Sequence, residues 1–409
     1  MLNDVTTRKP RHTAGQRSIL ALNCMVVLGC FAGAAALLLG ERFVSGQQKS
    51  PAVVNLARVA SAGLGPTETF PQSDPEAMNF LITGADNNGC VDPASPFAGA
   101  FGDRSEAGQR SDTIMIMRVD PVTSQAAVLS FPRDLWIPIH GSDSESRINS
   151  AYVKNDPTKL IQTIYDVFGV GIDHFIQVDF CTFKTLVDAV GGVSVPFEFA
   201  TRDTHTGLNV PTAGCFNLTG DHALAYVRSR HYQYLDPKNS KWTEDGFADL
   251  GRISRQQDFL RRVITKALAT GVYTPSVARG LINTAQNFVV TDPDLTLQKM
   301  LQFAGVIRNL DQSNLRTYQI EADRETRDGN DVMIPRVGGR NMRAILGVFQ
   351  GKAPLLEAPL PEPQTPVSGP ASSPSPTAVV DPPAVDPPAG GLGAEENVKG
   401  IVPPRDVVC

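Results

Sequence analysis

Seven arginines and three aspartates gather in four short stretches and one isolated position: Arg110-Ser-Asp-Thr113, Phe131-Pro-Arg-Asp134, Tyr226-Val-Arg-Ser-Arg230, Asp249-Leu-Gly-Arg-Ile-Ser-Arg-Gln256, and Arg147 between the second and third. No histidine or thiol nucleophile accompanies them. A guanidinium is planar, permanently charged and forked. An excess of guanidiniums beside carboxylates therefore suits a phosphate ester or pyrophosphate held together with a divalent cation. The chemistry indicated is phosphoryl transfer, not peptide hydrolysis.

Each position has a specific reading. Asp86 follows one apolar run and Asp112 opens the next, so adjacent strands bring both carboxylates to one rim of a sheet. As hard oxygen ligands they suit Mg²⁺, or Mn²⁺; the plainer alternative is that both cap turns. Arg228 and Arg230 are two apart and share a side if that stretch is extended. Arg252 and Arg255 are spaced i,i+3 and share a helix face. With Arg110, Arg133 and Arg147 they repel one another unless an anion fills the middle. Asp134 offers Arg133 a local salt bridge as an alternative to ligand contact. Asp249 is either the N-cap of a helix, worth about 1 kcal/mol, or a base beside Arg252 that orients an attacking hydroxyl and accepts its proton. His174 and His222, at the edges of regular elements, read as structural.

The elements that must position these residues alternate. Strands are expected over 79–83, 113–119 and 126–131, with a Gly-, Pro- and Asp-rich loop to Gly108 between the first two. Helical spacing covers 157–168 and 181–189, the latter preceded by a strand at 176–179 and closed by Gly191-Gly192. A short helix at 221–226 leads into an extended 228–230. A long helix at 250–269 carries Ile253, Phe259, Leu260, Val263 and Ile264 on one face. Helices near 276–288 and 295–308 and a strand at 315–320 complete one α/β body.

A net charge of -5 over 409 residues excludes a general nucleic-acid binder, which would carry broad basic patches. The run 18–40 has no charged residue and roughly the 20-residue length that spans a hydrocarbon core. It is expected to be a transmembrane helix, with the basic segment 1–17 cytoplasmic and the rest of the chain outside the cell membrane. Residues 41–77 then form a stalk, 78–352 the catalytic body, and the proline-rich 353–409 a disordered tail. Of the six cysteines, four lie beyond the apolar run, an even number that favours disulfides in an extracytoplasmic setting. Three connectivities are open. We expect Cys181 with Cys215, both in the folded body, which leaves Cys90 with Cys409.

From Asn79 to Phe349 the sequence resembles the LytR-CpsA-Psr family of cell-wall glycopolymer ligases, in its actinobacterial form. The matching stretches are Arg110-Ser-Asp-Thr113, Phe131-Pro-Arg-Asp134, Arg147-Ile-Asn149, Asp173-His-Phe-Ile-Gln-Val-Asp-Phe180, Val187-Asp-Ala-Val-Gly-Gly192, Ala223-Leu-Ala-Tyr-Val-Arg-Ser-Arg230 and Gly251-Arg-Ile-Ser-Arg-Gln256. A longer insertion containing Cys90 follows Asp86. The resemblance implies a mixed central β-sheet with helices on both faces. It also implies transfer of a polymer from a polyprenyl-pyrophosphate carrier to peptidoglycan, at the muramic acid 6-hydroxyl. On this reading Arg110, Arg133, Arg147, Arg228, Arg230, Arg252, Arg255 and Gln256 hold the pyrophosphate, and Asp86 and Asp112 the metal. Asp249, Arg133 and Arg252 carry the catalysis. Arabinogalactan is the expected polymer, over teichoic acid or capsule. A polyprenyl-pyrophosphate pyrophosphatase and a non-catalytic lipid-phosphate-binding regulator are the rival readings. The lipid needs an apolar tunnel, drawn from Phe168, Phe175, Phe180, Phe183, Leu186, Val187, Phe259 and Val263.

Overall fold

A computed structural model of the chain describes residues 76–86, 90, 92–100, 111–189, 191–269, 289–310, 315–327, 329–355, 394–405, 407 and 409. β1 (Met78–Ala85) lies antiparallel to β2 (Ile114–Asp120), which turns into antiparallel β3 (Gln125–Phe131). A small hairpin, β4 (Trp136–Pro138) and β5 (Glu145–Arg147), precedes α1 (Thr158–Phe168). β6 (His174–Asp179) returns parallel to β1 on its free side and feeds α2 (Phe180–Ala189). Short strands follow: β7 (Val193–Phe197), β8 (Thr201–Asp203), β9 (Leu208–Val210) and β10 (Gly214–Leu218). After α3 (Gly220–Arg228) come β11 (Gln233–Asp236), β12 (Lys241–Glu244) and the long α4 (Ala248–Ala269). β13 (Val289–Thr291), α5 (Leu297–Arg308), β14 (Leu315–Gln319), the hairpin β15 (Ala322–Arg327) and β16 (Asn330–Pro335), and α6 (Arg340–Phe349) complete the body.

The central sheet runs β13-β6-β1-β2-β3-β14, mixed in direction. Alternation along its inner strands sends residues to two cores. Phe80, Ile82, Met115, Met117 and Val128 face a core closed by α2, α3, α4 and α5. Leu81, Ile114, Ile116 and Leu129 face a second core closed by α1 and α6. On α1, Leu160, Ile164 and Phe168 recur at fourfold spacing and all bury into that second core. The expected mixed sheet with helices on both faces is therefore the observed one, and the three expected inner strands and the helices at 157–168, 181–189, 250–269 and 295–308 lie within two residues of their places. The expected helix at 276–288 lies outside the described residues.

The rest of the expected architecture needs correction. Among the described residues no helix is long and apolar enough to cross a membrane. The apolar run 18–40 lies outside them, and the spanning helix, with the single-pass location built on it, is withdrawn. The far end of the proline-rich tail is not an unstructured end. Ala394 buries in the second core together with Leu355, and residues 394–405 lie along the body in a dense set of hydrogen bonds described below. α6 has no counterpart among the expected elements, although Met342, Ile345, Leu346 and Phe349 carry a clear helical period into the second core.

Candidate functional site

The sheet register brings the charged stretches together. Thr83 pairs with Ile114, Ile114 with Phe131, Ala85 with Asp179, and Ser130 with Gln319. One rim of the sheet thus carries Asp86, Asp112, Asp179, Arg133 and Asp134. It is the end at which parallel strands of an open α/β sheet deliver ligand-binding loops. The first turn of α4, with Asp249 and Arg252, reaches this rim, since Arg252 Nη2 donates to Asp112 O at 2.7 Å.

Asp112 is the hub. Its carboxylate accepts from Arg133 Nη1 at 2.7 Å and from Arg228 Nη2 at 3.1 Å, and its side chain is only 6% exposed. Burial opposes the charge on Arg133, but the carboxylates of Asp112, Asp249 and Asp134 outweigh it and hold this guanidinium above its ordinary value. Arg230 is in the opposite condition. Burial, then the like charges of Arg133 and Arg252, lower its pKa against the pull of Asp249 and Asp112. No hydrogen bond or ion pair ties Arg230 to any described residue. A cation crowded by two others and unpaired is what an incoming anion relieves.

Asp249 stands 3.0 Å from Arg252 Nη2, and neither of its carboxylate oxygens has a hydrogen-bond partner among the described residues. It lies inside the first turn of α4, one residue beyond the helix start, so the N-cap alternative falls away. Arg147 pairs through Nε with Asp134 Oδ1 at 3.1 Å and donates from Nη2 to Asp331 O at 3.2 Å. It links the Arg133 loop to the β15–β16 hairpin. Arg228 ends α3 and is not in an extended stretch as expected, yet it reaches Asp112 and stacks its guanidinium 4.2 Å over the Phe180 ring. Gln256 donates to Thr113 Oγ1 at 3.2 Å and to Val227 O at 3.1 Å.

Two expectations fail here. Arg255 shares a helix face with Arg252, but its fully buried guanidinium turns to Asp245 Oδ2 at 2.7 Å and Ser229 O at 2.8 Å and stacks on Tyr232. It holds the loop before α4 and takes no part in the Arg133, Arg230 and Arg252 cluster. The cysteines pair as Cys90 with Cys181 and Cys215 with Cys409. The expected Cys181–Cys215 and Cys90–Cys409 pairs assumed that two body cysteines would meet. Instead the insertion after Asp86 is tied to the start of α2, and the chain end to β10. Arg110 lies outside the described residues.

His174 bears out its structural reading, lying buried 3.2 Å from Asp292. His222 is lowered chiefly by burial and stacks on Phe97. Among the described residues no group of three or more His, Cys, Asp or Glu is arranged to hold a metal. Asp86 and Asp112 offer two of the carboxylates at this rim, and both oxygens of Asp112 already meet arginines. Tyr152, which carried no signal in the sequence, stands behind Asp86, and Gln177, from the matching stretch 173–180, stands behind Tyr152. Burial, then the Asp86 charge, raise the Tyr152 hydroxyl, and it donates to Gln177 Oε1 at 2.8 Å.

An apolar cavity opens beside this cluster, between α2, α3, α4 and the ends of β1, β2 and β6. Met115, Val178, Phe180, Phe183, Leu224, Val227, Phe259 and Leu260 line it, and Arg228 and Gln256 stand on its wall. Of the expected tunnel residues, Phe180, Phe183 and Phe259 do line it. Val187 and Val263 pack in the adjoining core, Phe168 and Phe175 belong to the opposite core, and the side chain of Leu186 is outside the described set.

Residues 47–340 match the LytR_cpsA_psr family. The chain is 30% identical over 245 residues to a polyisoprenyl-teichoic acid–peptidoglycan teichoic acid transferase TagU of Halalkalibacterium halodurans, covering 59% of this chain and 70% of that protein. A protein of the same name from Bacillus mycoides is 31% identical over 201 residues, and the chain spans only 55% of its length. Among solved structures, the protein gbs0355 of Streptococcus agalactiae superposes with a TM-score of 0.53 at 21% identity, over 68% of this chain and 89% of that one. A LytR-Csp2A-Psr enzyme from Actinomyces oris does so at 0.50 and 23% identity, over 69% and 96%. At these identities the structural likenesses speak for the fold.

Proposed function

The chain belongs to the LytR-CpsA-Psr family, and from that premise we propose that it is a phosphotransferase that moves a wall glycopolymer from a polyprenyl-pyrophosphate carrier to a hydroxyl of peptidoglycan. The observation that carries this reading is a juxtaposition. An apolar cavity ends at Arg228 and Gln256, and on the far side of Arg228 lie Asp112, Arg133, Arg230, Arg252 and Asp249. A ligand that is hydrocarbon at one end and doubly charged next to it fits that order of surfaces.

In the reaction, Arg133, Arg230 and Arg252 hold the pyrophosphate, and Arg228 grips the phosphate nearer the lipid. The acceptor hydroxyl attacks the sugar-linked phosphorus, its proton passes to Asp249, and the bond to the bridging oxygen breaks. Polyprenyl phosphate leaves, and a phosphodiester joins polymer to peptidoglycan. The arginines act where charge grows on the bridging and leaving oxygens, the main lever in phosphoryl transfer. Two carboxylates at one rim fit Mg²⁺ or Mn²⁺ only in part. Asp86 and Asp112 would hold the ion with phosphate oxygens and water completing its shell, where it would share the charge on those oxygens.

The two TagU relatives above are named for teichoic acid, which makes an anionic wall polymer the first donor to try. Arabinogalactan, expected from the insertion, the cysteines and the proline-rich stretch, is the second. Incubation with each lipid-linked polymer and peptidoglycan should yield a covalent product joined by a phosphodiester. Excess chelator should stop product formation and Mg²⁺ or Mn²⁺ restore it, with Zn²⁺ a poor substitute for oxygen ligands. Free polymer ending in phosphate would make the protein a pyrophosphatase, and bound lipid without turnover a binder. Undiminished transfer in chelator would remove the metal from the mechanism.

A further inference from the structure

The last described stretch, residues 394–405, lies along β14, the edge strand of the central sheet. An edge strand leaves alternate amides unpaired, and each must find a partner. Here the partners are side chains. Thr317 N donates to Glu396 Oε1 at 2.6 Å, and Gln319 N donates to Asn397 Oδ1 at 2.9 Å. Asn397 Nδ2 returns a bond to Gln319 O at 2.8 Å. The Glu396 carboxylate, 1% exposed, is clamped between Arg261 of α4 and Arg405 of the same stretch.

Covering an edge would need no more than this, yet the stretch continues onto α4 beside the catalytic cluster. Lys399 N donates to Ser254 Oγ at 2.9 Å, and that hydroxyl donates to Leu250 O, next to Asp249. Gly400 then meets Gly251, which lies between Asp249 and Arg252 in the first turn of α4. A methyl group on Gly400 would sit 2.9 Å from Asp245 Oδ2 and 3.0 Å from Gly251 Cα, and its φ of +74° favours glycine as well. Gly251 is as tight: a methyl there would lie 2.8 Å from the same Asp245 oxygen. Two glycines thus allow the chain end to press directly on the turn that carries Asp249 and Arg252.

We propose that Glu396 to Gly400 are positioning residues of the transfer reaction: this stretch, from the far end of the sequence, fixes the first two turns of α4 and so sets where Asp249 and Arg252 stand. The inference rests on the phosphotransferase reading for its kinetic consequence, but its structural part stands apart from it.

Three full-length variants test it. Gly400→Ala, and Ser254→Ala as a variant without backbone strain, should each lower kcat at least tenfold while KM for the lipid-linked donor moves less than threefold. Amide exchange over residues 249–256 should quicken by at least tenfold in both, while the strands of the sheet keep their protection. Asn341→Ala releases the stretch at its other end, where Glu395 N and O bond the Asn341 side chain. It should lower the melting temperature and leave kcat alone. A merely structural clamp predicts the contrary, with kcat falling in all three in proportion to melting temperature. That result, or unchanged exchange at 249–256 in folded Gly400→Ala and Ser254→Ala, overturns the proposal. Faster exchange in a chain whose wild type transfers nothing would support the positioning role and sink the phosphotransferase reading.

Discussion

Arg230 and Arg255 look alike in the sequence and do opposite work. Both belong to arginine pairs beside the cluster, and spacing alone aims both at one anion. Arg255 is diverted because Asp245, ten residues before it in a loop without any pattern, has a side chain with 0% exposure whose carboxylate needs a cation. No periodicity announces such a partner, so residue type and spacing brought Arg133, Arg228, Arg230 and Arg252 to the site but did not separate Arg255 from them. The consequences of substitution differ accordingly. Arg230→Ala removes a repelled, unpaired charge, so stability should stay within about 0.5 kcal/mol of wild type or rise. Turnover should fall by about 10²–10³-fold, the usual cost of losing one donor to developing charge. Arg255→Ala strands the Asp245 carboxylate in the interior, and about 3–5 kcal/mol should be lost in urea unfolding. Full turnover in folded Arg230→Ala, or an unchanged unfolding midpoint in Arg255→Ala, contradicts the assignment.

At the level of elements, the inner strands and the long helices were legible because each buries an unbroken apolar stripe or alternation. The cavity was not, since Phe180, Phe183 and Phe259 on its wall and Phe168 and Phe175 in the opposite core are the same residue types in the same kind of element. What separates them is which face of the sheet each helix covers, a long-range fact. The short strands β7 to β12 escaped for a related reason: at three to five residues each, they carry too few alternations to read. The cavity assignment has its own test at this scale. Leu260 lines the cavity from α4 and packs only at the margin of the core, so Leu260→Trp can fill the space without tearing it. Transfer from a long polyprenyl donor should drop at least tenfold in kcat/KM, while a donor with a two-isoprene chain is spared. Equal losses for both donors would place the lipid elsewhere.

Across the whole molecule, two disulfides and a buried carboxylate return distant sequence to the body. The bonds close separations of 91 and 194 residues, long loops for which chain entropy allows at most about 4–5 kcal/mol each. The order of 394–405 was not legible because composition presents the whole proline-rich end as unable to fold alone. That holds for a stretch with no core of its own, but 394–405 borrows one, and the signal lay in a handful of polar residues, Glu396, Asn397 and Arg405, matched to the β14 edge. Glu396 also gives this contact a pH dependence of definite sign. Burial works against its charge, but Arg405 and Arg261 outweigh it and hold its pKa below the ordinary 4.5. A carboxyl depressed in the fold stabilises it fully above the unfolded value, and loses that contribution as pH falls toward the folded one, because the unfolded chain takes up the proton first. Stability measured by urea unfolding should therefore decline from about pH 5 downward more steeply in wild type than in Glu396→Gln. At neutral pH the variant should be the less stable of the two, with Arg261 and Arg405 left facing a neutral amide. The two curves should converge in acid. Parallel curves across that window would mean that Glu396 is not the ion that fastens the chain end to the sheet.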